Sequence, residues 1–139
     1  MKYILIYILF LLNLQAEMSP LVYEKARNEA QEFINIKIVD IHTKKKSDTL
    51  HVNAKAKIIK IHRTNSNLKI GDIINILYDI EIHKDMDWVG PSSNILLQKY
   101  KKYSAYLKKI DKNTYTTDAF GKSFDKIYLI YEKIPLLPF

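Results

Sequence analysis

Residues 50–83, LHVNAKAKIIKIHRTNSNLKIGDIINILYDIEIH, read as two β-strands joined by a polar turn. In the first arm Val52, Ala54, Ala56 and Ile58 alternate with His51, Asn53, Lys55 and Lys57, the period of two expected of a strand with one buried face. Ile58 and Ile59 are then adjacent, and the apolar row continues on Ile59 and Ile61, as one extra residue in a β-bulge produces. A bulged strand bends and twists, so it can serve two walls of a barrel. The second arm alternates through Ile74, Ile76, Tyr78, Ile80 and Ile82, with Gly71-Asp72 supplying turn chemistry just ahead of it. Thr64-Asn65-Ser66-Asn67 is short and polar, which predicts that the two arms are antiparallel neighbours.

Working outward, Ser19-Pro20 is a helix start, with serine able to cap free N–H groups and proline suited to the first helical position. Val22 or Tyr23, Ala26 and Ala30 recur at helical spacing, so residues 20–32 read as a short amphipathic helix lying on the barrel. Residues 33–42 form the first strand, with Ile34, Ile36 and Ile38 on one phase and Val39 and Ile41 on the other, the same kind of slip. Lys44-Lys45-Lys46-Ser47-Asp48 is a charged hairpin tip, a solvated loop that protects an edge from aggregation. Strand signals stop over residues 84–102; a loop is expected at 85–91 and a helical turn at 93–98, with Ile95, Leu96 and Leu97 closing one barrel end. Tyr103, Ala105 and Leu107 restore alternation as a fourth strand, Asp111-Lys112-Asn113 turns it, residues 114–123 read as a loop, and residues 126–131 as a final strand. Pro135 and Pro138 prevent further regular pairing. The expected architecture is mainly β: a five-stranded OB-like Greek-key barrel with a short N-terminal helix.

At 139 residues the chain supports one domain, and its 21 isoleucines and 10 tyrosines favour strands. Residues 1–16 read as a signal peptide, with Lys2 as a short basic region, an unbroken apolar run over residues 3–12, and Leu14-Gln15-Ala16 offering a small residue for cleavage. The domain then covers residues 17–139, and the expected location is periplasmic or secreted. There is no cysteine, which closes the lipoprotein route and leaves the domain to be held by its core alone. Of the 22 basic residues only Arg27 and Arg63 are arginine, and the net charge is +7.

VNAKAKIIKIHR (52–63), LKIGDIINILY (68–78), YSAYL (103–107) and AFGKSF (119–124) together resemble the strand order of netrin-like modules. These OB-fold domains are shared by netrin C-termini, complement tails and the tissue inhibitors of metalloproteinases. The resemblance covers most of residues 17–139 and implies an exported binding module. Those inhibitors chelate the catalytic zinc through an N-terminal cysteine; with no cysteine here, that mechanism does not carry over.

No catalytic, cofactor-binding or metal-ligating set emerges. His42, His51, His62 and His83 lie near strand ends without ligand spacing. There is no G-x-S-x-G and no serine matched to a histidine and an acid, and the outward pair Asp79 and Glu81 more readily meets lysines than a substrate. Two weaker expectations stand beside the main one, an enzyme of unknown class and an OB-fold binder of nucleic acid or another anionic polymer: Tyr78, Tyr106 and Tyr128 offer stacking platforms, but arginine is scarce and the chain is read as exported. The expected function is non-enzymatic recognition of a protein or envelope component through barrel loops by a monomer without cofactor. Trp88, Tyr115 and Phe120 are the candidate anchors, being large aromatics in the longest irregular segments; the alternative, of equal weight, is that they plug the barrel ends. The processing expectation is checked by the intact mass of the exported protein, which should begin at Glu17; a membrane-bound species retaining residues 1–16 overturns it.

Overall fold

The computed structural model describes residues 19–82 and 93–127. Among the described residues one helix, α1 (Pro20–Glu29), precedes six strands: β1 (Glu32–Lys46), β2 (Thr49–Arg63), β3 (Ile73–Glu81), β4 (Lys102–Asp111), β5 (Thr114–Thr117) and β6 (Phe124–Lys126). The strand order β1-β2-β3-β5-β4 closes on itself through β1–β4 pairing, giving a five-stranded OB-like barrel with β6 as an extra strand on β4. β3 and β5 form the one parallel contact, Asn75 opposite Thr114 and Ile76 opposite Tyr115; the other pairings are antiparallel.

The phase slips in the sequence are bulges in the β1–β2 ladder. Asn35 faces Lys60 and Ile36 faces Ile58, leaving Ile59 without a cross-strand partner. Ile38 faces Ala56 and Asp40 faces Lys55, leaving Val39 over; Phe33 faces Arg63 and Ile34 faces Ile61, leaving His62 over. Through these bends the first half of β1 holds β2 on one edge and β4 on the other. The alternating residues then line the core as read: Ile34, Ile36 and Ile38 of β1, Val52 to Ile58 of β2, and Ile74, Ile76 and Tyr78 of β3 are all buried. Ala54 and Ala56 supply the small side chains that let the bulkier isoleucines and tyrosines fit a narrow barrel.

Several local expectations need correction. The helix ends at Glu29 and not at residue 32, because Glu32 is drawn into β1, where its buried carboxylate accepts hydrogen bonds from the Asn65 N–H and the Ser66 hydroxyl. Ser19 makes no side-chain cap; its carbonyl instead accepts the Val22 N–H. The β1–β2 pairing continues through Lys46, so the charged tip shrinks to Ser47-Asp48, with Ser47 at a left-handed φ of 57°. Residues 93–98 are not helical. Core tyrosines satisfy their backbone instead: the Tyr78 hydroxyl donates to the Ile95 carbonyl and accepts the Leu97 N–H, and the Tyr103 hydroxyl accepts the Gln98 N–H. Leu97 alone plugs the barrel, while Ile95 and Leu96 are exposed. The expected loop at 114–123 holds β5 and a single turn of 3-10 helix (Phe120–Lys122). The expected last strand begins two residues early, at Phe124; its remainder beyond Ile127, the loop at 85–91 and the segment 1–16 lie outside the described residues.

Both arginines fasten α1. Arg63 donates to the carbonyls of Arg27 and Ala30 at the end of the helix, where unsatisfied carbonyls and the helix dipole favour a cation. Arg27 reaches the Lys122 carbonyl and the Asp125 carboxylate. No helix among the described residues is long and apolar enough to cross a membrane. Ile76, fully buried between β2 and β5, tests the barrel: Ile76→Asp places an unpaired charge there and should cost several kcal/mol, about 3 or more, abolishing cooperative thermal unfolding. Asn53→Asp on the exposed phase should leave the melt nearly unchanged.

Candidate functional site

The pairing register sets outward side chains in transverse rows. His42 stands opposite Asn53 and Asn53 opposite Leu77; Lys44 stands opposite His51 and His51 opposite Asp79. Directly opposed residues share a face, and since Val52, Ala54, Ile76 and Tyr78 are buried, these rows face solvent. A groove of about 520 Å³ runs over them, bounded by Thr116 and Thr117 at the end of β5. This is the face of strands two and three that OB barrels use for ligands.

The groove has mixed chemistry. His51 Nδ1 lies 2.6 Å from Asp79 Oδ1, an N–H donating to the carboxylate, which orients the ring and leaves Nε2 for a ligand. Asn53 offers both a donor and an acceptor, and Leu77 gives the surface an exposed apolar spot. At its margin His42 Nε2 lies 3.1 Å from Asp40, whose carboxyl is held below its ordinary value first by the Ile41 N–H it accepts. Asp79, read as one of two outward acids awaiting lysines, is engaged by histidine.

The sequence-derived anchors do not converge. Trp88 lies outside the described residues. Tyr115 is 2 % exposed, a correction to its reading as a contact residue: it points into the barrel, and its hydroxyl hydrogen-bonds Ser66, which in turn donates to Glu32. Burial pushes its phenol up, and the Glu32 carboxylate adds to this. Phe120 is 49 % exposed at φ 51°, edge-on to Tyr23 of α1, beside a shallow hollow with Val22 and Lys25.

The tyrosine platforms are also spent. Tyr78 is core, and Tyr128 lies outside the described residues. Tyr106 stacks at 4.5 Å on Phe33, whose other face carries His62 at 4.3 Å, and the Arg27 guanidinium covers the Tyr106 ring at 4.9 Å. His42, His51 and His62 each bond a different partner, and no group of three metal-ligating side chains occurs among the described residues; His83 falls outside them. Sequence reasoning missed the groove because it depends on which residue of β2 faces which of β3. The available signal was the shared outward phase of His51, Asn53, Leu77 and Asp79.

No family model matches the chain, and no curated protein or solved structure matches it at a significant level.

Beneath the groove, burial raises the Tyr78 phenol to about 12, against 10.0 for a free side chain. Between those values the folded protein keeps a proton that the unfolded chain releases, so this stability is complete below pH 10 and is lost as pH climbs towards 12. Thermal midpoints measured across that window should fall less steeply for Tyr78→Phe than for the unaltered protein. Equal slopes would show that Tyr78 titrates normally.

Proposed function

We propose that this chain is an exported, non-enzymatic binding module of the netrin-like OB type that recognises a protein or cell-envelope component. The observation that carries the reading is the groove over β1, β2 and β3, which coincides with the ligand face of OB barrels. Its polar rows, its oriented histidine and its one exposed leucine suit an extended ligand held by several hydrogen bonds around an apolar contact. The leader-like residues 1–16 support export. Tyr115 is buried and Phe120 packs edge-on to Tyr23 of α1, which favours the sheet face over these two loop aromatics as the recognition surface.

A pull-down from envelope extract with the full chain tests this. Asn53→Arg with Leu77→Arg fills the groove without touching the core, and the double variant should lose the species captured by the unaltered protein while keeping its circular dichroism. Capture that survives the groove variant but fails with Phe120→Ala would move the site to the helix side and overturn the reading.

A further inference from the structure

We infer that the outer wall where β4, β1 and β2 meet binds a phosphodiester chain. Lys102 of β4 stands directly opposite Lys37 of β1, and Lys37 directly opposite Lys57 of β2. Ile36, Ile38 and Tyr103 beside them are buried, so all three lysines project outward. Strands lie about 4.8 Å apart, which sets three ammonium stems in a line roughly 10 Å long. Like charges directly opposed destabilise a sheet. Among the described residues no carboxylate pairs with any of the three. In the rows on either side, Asp125–Ser104–Asn35–Lys60 and Asp40–Lys55–Asn75, the two acids are already engaged, Asp125 by Arg27 and Asp40 by His42 and Lys99. Anions bridging the ammonium groups would relieve this repulsion, and successive phosphates on one chain are spaced to do so.

A second feature adjoins the row. Ile38 donates to the Lys101 carbonyl and accepts the Tyr100 N–H, so two residues oppose one and Tyr100 takes a left-handed φ of 68°. That conformation is uncommon for a bulky side chain and carries strain. The Tyr100 ring is 63 % exposed, with the Lys99 ammonium 5.2 Å from its centre. An open aromatic ring beside a line of cations is the arrangement that holds phosphates on one side and packs a sugar or base on the other. Lysines act on phosphate as point charges without bidentate geometry, so this wall reads a backbone and not a base sequence. None of the three lysines lines the groove, so the two sites fail or succeed separately.

Fluorescence anisotropy of the full chain with labelled oligothymidylate, and with a base-free deoxyribose-phosphate oligomer of equal length, tests the inference across a salt series. Each phosphate neutralised on a single strand contributes about −0.7 to the log–log salt slope, so replacing Lys37, Lys57 and Lys102 by glutamine should flatten it by about 2 and weaken binding on the order of tenfold. Replacing Lys45 and Lys46, next to the β1–β2 hairpin tip, and Lys112, at the β4–β5 hairpin tip, by glutamine removes the same charge and should leave the slope in place. Tighter binding of oligothymidylate that is lost in Tyr100→Ala identifies nucleic acid as the source of the phosphodiester; equal binding of the two oligomers identifies a base-free polymer. No binding at low salt, or equal loss from the hairpin-tip variant, overturns the site.

Discussion

Barrel closure here depends on three residues that have no cross-strand partner in the β1–β2 ladder. β1 must stay zipped to β2 along its whole length and also present its other edge to β4, which a regular ladder of that length cannot do without bending. Val39, Ile59 and His62 provide the bends, each as one residue in excess of its opposite strand. They also set the outer surface. Val39 separates the row of Lys102, Lys37 and Lys57 from the rows of Asp40, His42 and Lys44, so the binding wall and the groove are distinct surfaces on the same pair of strands.

The ends of the barrel are secured by polar groups and not by apolar plugs alone. At one end Glu32, Ser66 and Tyr115 form a buried chain of hydrogen bonds that ties the start of β1 to the β2–β3 connection and to β5. At the other, the hydroxyls of Tyr78 and Tyr103 take up the backbone of residues 95–98. Buried polar networks of this kind are stabilising only when every member is satisfied, and here each hydroxyl has a partner. The two arginines spend their fixed fork of donors on backbone carbonyls and an aspartate around α1. On the outer wall of β4, β1 and β2 the exposed cations are therefore lysines.

The residues legible in the sequence were those governed by a local rule. Alternation revealed the buried faces of β1, β2 and β3, and the adjacent pair Ile58-Ile59 revealed one bulge, while the slip at Val39 revealed another. The third bulge was hidden because no apolar residue follows Ile61 in β2, so there was no phase left to slip at His62. Tyr115 read as a loop aromatic because Thr114–Thr117 is only four residues of polar strand, too short for alternation to declare its buried side. The groove and the lysine row are cross-strand properties. The groove follows from the β2–β3 register, which the irregular residues 64–72 do not announce, and the lysine row from the β1–β4 register, which joins strands far apart in sequence.

The β1–β4 seam joins residues 32–37 to residues 102–107, about seventy positions apart, whereas the β1–β2 hairpin closes over two. Loop-closure entropy therefore orders assembly: hairpin and meander first, seam last. During synthesis the β1–β2–β3 meander emerges with its β1 edge open, and the barrel cannot lock until β4 has left the ribosome. The barrel thus stays unsealed for most of the chain's translation.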